Sequence, residues 1–306
     1  SRQQWRRFYV YRPVGRSKAP RLPTMSRIDL HLHTTHSDGS FPPADVLAFA
    51  QTAGVTALAI TDHDIVAGIP EAMELGSRLG MEIIPGVEIS SRYGDSELHI
   101  LGYCFDWQQP LLNRRLKTLR ESRHERNPRI IQRLNDLGLP VTYEEVRELA
   151  GTESVGRPHI ARVLMNKKLV SSAKEAFDRY LAEGRPAFVP RQLPDPMEAV
   201  TWICEAGGVA VLAHPTWVKE SSEGLARLVA QLKEAGLGGI EVHYSTHNAR
   251  QTDEYLSLAK RLNLLVTGGS DFHGVTKPDI GVGTGRGDLK VSDKLLEPLK
   301  KAASTH

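Results

Sequence analysis

Short apolar runs alternate with helix-forming segments from residue 28 to residue 103. In the first run, Asp29, His31 and His33 alternate with apolar residues, so that polar and apolar side chains point to opposite faces of a predicted strand. Val55–Thr61 is almost continuously apolar, which is typical of a strand buried in a parallel sheet. Further strands are predicted over residues 83–89 and 97–103, and helices over 42–52 and 69–79.

This alternation stops at Asp106 and resumes at Gly208. Residues 108–200 have no clear strand repeat and are predicted to form a mostly helical insertion or cap, with a break or kink at Pro128. Three more strands are predicted over 209–213, 240–243 and 264–267, with helices between them. Seven strands joined mostly by helices indicate an α/β fold, and a parallel barrel is the architecture we expect. The predicted division is therefore a barrel over 26–107 and 201–300, interrupted by the insertion at 108–200.

Charge is distributed unevenly along the 306 residues. Residues 1–24 hold seven arginine or lysine side chains and no acidic one, and without them the chain has 32 basic and 36 acidic residues, a net charge of −4. The body is therefore not a broadly basic nucleic-acid surface. We predict that residues 1–25 form a disordered leader, and three interpretations stay open for it: a transit-like peptide, an RNA-binding arm, or an extension upstream of a start at Met25.

Two further features of composition bear on location. No apolar run approaches the length of a membrane span, so no membrane association is expected. The two cysteines, Cys104 and Cys204, form no metal-type pattern and are expected to be buried apolar residues in a cytoplasmic protein.

Histidine and carboxylate side chains follow six of the seven predicted strands. Because the carboxyl ends of barrel strands meet at one rim, where barrel enzymes have their active sites, we expect these side chains to converge. In chain order they are His31, His33, Asp38, His63, Glu88, His99, His214, Asp271 and His273. Imidazole and carboxylate without thiolate suit Mn²⁺, Fe²⁺ or Zn²⁺.

Nine ligands are too many for one ion and fit two or three, with a carboxylate such as Glu88 as a bridge. Clustered cations activate water and bind phosphate oxygens during in-line displacement at phosphorus. The alternative is a zinc site that only stabilises the fold, although such sites usually have four ligands, often cysteines.

The ordered motifs resemble those of the PHP (polymerase and histidinol phosphatase) superfamily. They are His31-x-His33-x4-Asp38-Gly39, Thr61-Asp62-His63, Gly86-Val87-Glu88, Ala213-His214-Pro215 and Gly269-Ser270-Asp271-Phe272-His273. The resemblance covers about residues 27–290 and implies a distorted seven-stranded, TIM-like barrel with up to three metal ions. It implies one ion at His31, His33, Glu88 and Asp271, a second at Glu88, His99 and His214, and a third at Asp38, His63 and His273. Mn²⁺ is the favoured metal, with Fe²⁺ or Zn²⁺ as alternatives.

Within the insertion, residues 156–162 and 180–189 resemble the branch that contains 3′,5′-nucleoside bisphosphate phosphatase and the 5′→3′ exoribonuclease RNase AM. This branch implies removal of the 3′ phosphate from pAp-like nucleotides and stepwise cleavage of short 5′-phosphorylated RNA. Pro158, before His159, departs from the small polar residue that relatives often have there. Two other functions stay open: a small-molecule phosphatase of the histidinol-phosphate type, and a non-catalytic PHP binding module. The oligomeric state is left open.

Five residues outside the nine are candidates for substrate contacts. Arg157 and His159 are assigned to the substrate 5′ phosphate, since guanidinium groups bind phosphate through two parallel hydrogen bonds; the alternative is an ion pair at a helix start. Arg185 either reaches phosphate or is solvated. Ser245 and His247 follow strand six, and His247 is assigned to phosphate or to protonation of the leaving oxygen, or else is a surface histidine.

Catalytic roles are assigned to His247 and Asp271. Asp29 and Asp62 are predicted to steady metal ligands without binding metal. Glu241 is given no role. The arginines between Arg114 and Arg133 are predicted to form a solvated helix face rather than an RNA track.

Overall fold

The computed structural model describes residues 27–94, 96–152 and 154–304, and the predicted leader, residues 1–25, lies outside them. Within the described residues, one sheet has the strand order β1-β2-β3-β4-β5-β6-β7. The strands are β1 Arg27–Leu32, β2 Val55–Ile60, β3 Glu82–Tyr93, β4 Ser96–Tyr103, β5 Val209–Leu212, β6 Gly239–Tyr244 and β7 Leu265–Gly269. Just beyond β1 and β7, the His33 N–H donates to the Phe272 carbonyl (3.0 Å) and the Asp271 N–H to the His31 carbonyl (2.8 Å). These bonds bring the two edges of the sheet together, and the predicted seven-stranded barrel is confirmed.

The expectation of an all-parallel barrel is wrong at β4, which is antiparallel to both β3 and β5. The physical reason is the length of the connection. Only residues 94 and 95 join β3 to β4, whereas a parallel crossover needs about a dozen residues or more. Gly94, with φ +54°, takes a left-handed conformation that favours glycine in such a tight turn. β3 also runs four residues beyond its predicted end at Ile89.

Most helices begin with proline in the first turn or with a side-chain cap, which places their first residues close to prediction. They are α1 Pro43–Thr52, α2 Ile69–Leu79, α3 Pro110–Asp136, α4 Tyr143–Ala150, α5 Arg157–Asn166, α6 Ala173–Ala176, α7 Pro196–Glu205, α8 Ser222–Glu234, α9 Ala249–Arg261 and α10 Leu296–Ala303. A π-helical turn, Phe177–Leu181, continues α6. None of these helices is long and apolar enough to cross a membrane.

Helix α3 connects the barrel to the inserted helices. Its first half packs Leu112, Leu116 and Leu119 into the barrel core, whereas its second half packs Ile130 and Leu134 into a separate apolar core formed with α4 and α5. Pro128 lies inside this 27-residue helix and does not end it, so the break is absent, while the alternative of a kink stays a prediction. Helix α7 begins within the predicted insertion range, crosses its end at residue 200 and packs on the barrel core. The division at residues 107 and 200 stays a prediction.

Candidate metal centre

All nine residues predicted as metal ligands meet at one rim of the barrel. They come from the ends of β1, β2, β5 and β7 or the turns that follow them, from the middle of β3 and from the first half of β4. His99 reaches this rim from the first half of β4 because β4 runs in the opposite direction to its neighbours. Side chains from six strands therefore converge, as expected, although β4 contributes through its opposite end.

Among the described residues, four groups place histidine or carboxylate ligand atoms within 4.8 Å of one another. The groups are His33, Asp38, His63 and His273; His31, Glu88 and His214; His31, His33 and Asp271; and His63, Glu88 and His99. Together they contain the nine predicted residues and no other. The two oxygens of Glu88 face different histidines, since Oε1 lies 2.9 Å from His99 Nδ1 and 3.0 Å from His214 Nε2.

The second oxygen of Glu88, Oε2, lies at the centre of an unpaired polar set. It is 3.1 Å from His33 Nε2, 3.1 Å from His63 Nδ1 and 3.4 Å from His31 Nε2. All four atoms are buried, and none has a hydrogen-bond partner. A buried polar atom left unpaired costs about 1–3 kcal/mol, and divalent cations sharing Glu88 would satisfy these four atoms. The donor set of imidazole and carboxylate, without thiolate, fits Mn²⁺, Fe²⁺ or Zn²⁺.

Burial and the nearby carboxylates act in opposite directions on the pKa values of the imidazoles at this rim. Burial by itself lowers the pKa of His33, but Asp271 and Glu88 outweigh it and raise that pKa to about 9. The pKa of His63 is lowered to about 3 by its burial, reinforced by the positive charges of His33 and His99. Since a metal ligand must be a neutral imidazole, His33 has to lose a proton before it can bind a cation.

Glu241, to which the sequence assigned no role, supports two of the predicted ligands. This wholly buried side chain accepts two hydrogen bonds. Oε1 accepts from His31 Nδ1 (2.9 Å), and Oε2 accepts from the His214 backbone N–H (2.8 Å). The bond to Nδ1 leaves His31 Nε2 as the free acceptor that faces Glu88. The available signal was a carboxylate in the middle of the buried strand β6.

Asp29 and Asp62 support the rim through its backbone and its first turn. Asp29 accepts from the backbone N–H groups of His31 (3.3 Å), Ser270 (2.8 Å) and Gly283 (2.7 Å), and burial raises its pKa to about 6. Asp62 accepts from the Thr34 hydroxyl (2.6 Å) and the Ser37 hydroxyl (2.5 Å), and so holds the turn that leads to Asp38. Both acidic residues therefore position parts of the site from outside the four groups.

Asp271 has two partners that the sequence did not indicate. Its Oδ2 accepts hydrogen bonds from the Tyr244 hydroxyl (2.7 Å) and from Lys277 Nζ (2.5 Å). Lys277, His273 and His31 hold the pKa of Asp271 well below its usual range despite its burial. The Asp271 backbone is left-handed (φ +57°), a strained conformation for a residue with a side chain. Oδ1 remains directed to His31 and His33, at 3.5 and 3.3 Å.

The five predicted substrate residues differ in their burial and in their hydrogen-bond partners. His159 is buried, and its Nδ1 accepts from the Gly156 N–H (3.0 Å); Arg157 donates to Glu97 and to the Leu181 carbonyl. Ser245 donates to the Ser270 carbonyl (2.6 Å), next to Asp271. His247 donates through Nδ1 to the Val242 carbonyl (2.8 Å), while its buried Nε2 has no partner. Arg185 is exposed. Their roles stay predictions.

The prediction of a solvated arginine face on α3 is wrong for Arg123 and Arg126, which are 6% and 5% exposed. Both side chains are buried instead of solvated, and that of Arg123 reaches the barrel rim. Arg123 donates to Asp64 Oδ2 (2.6 Å) and to the Ser90 hydroxyl (3.1 Å), directly beside His63. This ion pair joins the insertion to the metal-ligand rim.

Arg123 and Arg126 belong to a larger group that we call the arginine cluster, consisting of Arg123, Arg126, Arg157 and Arg191. Arg157 and Arg191 both pair with Glu97, and Arg191 lies 3.5 Å from Asp64. Arg126 donates hydrogen bonds to the side chain of its neighbour Asn127. Burial, together with the positive charges of Arg157 and Arg191, holds the pKa of Arg126 well below its usual range. Four guanidinium groups against the carboxylates of Asp64 and Glu97 leave two positive charges in excess.

Comparison with known proteins identifies relatives over most of the chain. The PHP domain family matches residues 29–186. The chain is 35% identical over 250 residues to a 3′,5′-nucleoside bisphosphate phosphatase from Chromobacterium violaceum, covering 81% of this chain and 88% of that protein. It is 38% identical over 247 residues to the 5′-3′ exoribonuclease Rnm of Escherichia coli, covering 80% and 84%. The structure of a candidate metal-dependent phosphoesterase from Bifidobacterium adolescentis matches with a TM-score of 0.82 and 29% identity, covering 92% of this chain and 98% of that chain.

Proposed function

This chain belongs to the PHP domain family, and from that premise we propose that it is a metal-dependent phosphoesterase acting on nucleotides. It removes the 3′ phosphate of 3′,5′-nucleoside bisphosphates and shortens 5′-phosphorylated RNA from its 5′ end. These are one chemistry, because in both cases a phosphoester at a 3′ oxygen is broken while a 5′ phosphate is held. The family membership expected from the motifs is confirmed.

One observation carries the proposal: Glu88 Oε2 and the three imidazole nitrogens around it are buried and unpaired. Two or three divalent cations, Mn²⁺ first and Fe²⁺ or Zn²⁺ otherwise, would be held by the nine residues, with Glu88 shared between them. When bound, such cations make water a better nucleophile and neutralise phosphate oxygens during displacement. The chain's own part is to hold these ligands rigidly through Glu241, Asp29 and Asp62.

The arginine cluster supports the assignment of the 5′-phosphate position. Its excess of two positive charges matches a phosphate dianion, and it contains Arg157, which the sequence already indicated for this role. His159 lies in the first turn of the same helix, α5, and is close enough to Asp38 and His273 for their charges to act on its pKa. We therefore place the 5′ phosphate beside Arg157, between the insertion and the metal-ligand rim, with Arg185 as an outer contact.

Protonation of the leaving 3′ oxygen is assigned to His247. Its Nε2 is buried and unpaired, while Nδ1 is occupied by the Val242 carbonyl, so that Nε2 is the atom available to substrate. Burial lowers the pKa of His247, so that its imidazole is neutral and Nε2 carries no proton while Nδ1–H bonds Val242. Nε2 would therefore first take a proton from solvent and then pass that proton to the leaving 3′ oxygen. Ser245, which bonds the carbonyl next to Asp271, would then border the same position.

The test is an assay of purified protein with Mn²⁺ on pAp and on short RNAs that differ only in carrying a 5′ monophosphate or a 5′ hydroxyl. We expect phosphate release from pAp and mononucleotides from the 5′-phosphorylated RNA. Arg157→Gln should remove the preference for the 5′ monophosphate, whereas Arg115→Gln, at an exposed pair with Glu205, should keep it. Absence of activity in Mn²⁺, Fe²⁺ and Zn²⁺ would contradict the proposal.

Two alternatives are separated by further measurements. A phosphatase of the histidinol-phosphate type would hydrolyse histidinol phosphate in preference to pAp in a side-by-side assay. A non-catalytic binding module would carry fewer than two ions per chain after gentle purification and would release no phosphate. The two free cysteines agree with the cytoplasm as the compartment that we expect.

A further inference from the structure

Trp217 is a large aromatic side chain that lies beside the candidate metal centre and is about half exposed. It ends the short 3₁₀ turn Pro215–Trp217, which directly follows the predicted ligand His214. The side chain is 47% exposed. Its ring centroid is 4.1 Å from the His214 ring and 6.4 Å from the rings of His99 and Tyr244. Lys277 Nζ, which also bonds Asp271, lies 5.6 Å from the same centroid.

The other two tryptophans of the described residues are placed differently. Trp107 and Trp202 are partly buried and pack against the main barrel core, whereas Trp217 belongs to none of the apolar cores found in residues 27–94, 96–152 and 154–304. An aromatic ring gains most of its stabilisation from burial, so a half-exposed tryptophan at a polar rim contributes little to folding. Its position points to a role in binding.

The turn that carries Trp217 is held in place. Gln251 on α9 donates from Nε2 to the Thr216 hydroxyl (2.7 Å), and the Trp217 N–H donates to the His214 carbonyl (3.0 Å). Pro215 further restricts the backbone at the start of the turn. The indole is therefore presented as a fixed surface, which lowers the entropy that a ligand would lose on stacking against it.

We propose that Trp217 stacks against the nucleobase of the bound nucleotide. The inference rests on the proposed function, since it concerns the nucleotide whose phosphoester lies at the metal centre. Every base has a flat π-face, so an indole platform would hold purine and pyrimidine nucleotides alike, which suits stepwise degradation of RNA. Lys277, between Asp271 and the indole, adds positive charge where the phosphate and the base of one nucleotide adjoin.

The kinetic test compares pAp with ribose 3,5-bisphosphate, which has both phosphates and no base. Trp217→Ala should lower kcat/KM for pAp about 5- to 150-fold, mainly through KM, and should leave the base-free substrate nearly unchanged. Trp217→Phe, which keeps an aromatic face, should recover most of the activity on pAp. Equal losses on both substrates, or no loss on pAp, would overturn the proposal, because the ring would then only cover His214 or do nothing.

A binding test gives a readout that does not require turnover. AMP should quench tryptophan fluorescence in the wild-type protein and in Trp202→Phe, which removes an indole remote from the rim, but not in Trp217→Phe. Ribose 5-phosphate should not quench in any of them. Quenching that survives in Trp217→Phe, or its absence from the wild type, would refute stacking. A wild-type protein that binds AMP with quenching yet hydrolyses neither bisphosphate would contradict the proposed function alone.

Discussion

Replacing Glu241 by glutamine should weaken the binding of divalent cations while leaving the fold intact. Glu241 accepts two hydrogen bonds in a fully buried position, from His31 Nδ1 and from the His214 backbone N–H. Glutamine has nearly the same shape but only one carbonyl oxygen, so its amide group would oppose one of the two donors. The substitution therefore removes one of two bonds and the negative charge that favours the ligating tautomer of His31.

The size of the effect follows from these bonds. A hydrogen bond to a charged group contributes about 1.5–3 kcal/mol, and about 1.4 kcal/mol corresponds to a tenfold change in affinity. We therefore expect Glu241→Gln to weaken Mn²⁺ binding by about 10- to 100-fold, the range found when the partner of a metal-binding histidine is lost.

The assay is a calorimetric titration of Mn²⁺ into protein stripped of metal with a chelator. Glu205→Gln is the matched control, because Glu205 is an exposed glutamate in an ion pair with Arg115 and lies outside the four ligand groups. Thermal unfolding of the metal-free proteins checks that the fold is retained. Unchanged Mn²⁺ affinity in a folded Glu241→Gln protein would refute the reasoning that this residue orients two ligands.

Four other outcomes are expected. Asp64→Asn should lower the free energy of unfolding in urea by about 3–5 kcal/mol, because Arg123 stays buried without its charged partner. Arg123 and Arg191 outweigh burial and lower the pKa of Asp64, so this loss should be full above the ordinary aspartate pKa of 3.8 and should shrink as the pH falls through the lowered pKa. A small loss at neutral pH would argue against the ion pair. Mn²⁺ affinity should fall as the pH is lowered from 8 toward 6, with proton release in calorimetry, because the pKa of His33 is raised to about 9; pH-independent binding would contradict this. Chelation should lower the midpoint of thermal unfolding, since a cation at about 100 times its Kd stabilises the folded state by about 2.7 kcal/mol, and an unchanged midpoint would count against cation binding. His247→Gln should lower kcat by about 10²–10⁴-fold without changing metal content, and full activity would remove His247 from proton transfer.

Much of the site was predictable because its signals are local. A strand followed by histidine or carboxylate can be recognised from neighbouring residues, and the carboxyl ends of barrel strands share one rim whatever lies between them. His63, His214 and Asp271 were therefore placed together although they are far apart in sequence, and the structure groups them with their six partners. His99 was also placed correctly, although the orientation of its strand was not.

The residues that were missed depend on contacts between distant segments. Glu241 lies inside strand β6 and not at its end, and only the closed barrel brings it to His31 and His214. Arg123 and Arg126 are typical of an exposed helix face in the sequence, although both are buried in the structure. The spacing of charged residues along α3 does not indicate that this helix packs against the barrel rim. Trp217 could not be distinguished from a core tryptophan.

The sequence by itself determined the seven-stranded barrel and the residue types that converge on Glu88, because strand and helix periods and the ends of strands are short-range properties. Only the tertiary structure decided the direction of β4, the burial of the arginine cluster and the support given by Glu241. These features depend on how the chain closes on itself, since burial and pairing are fixed by the elements that pack together and not by the residues adjacent in the chain.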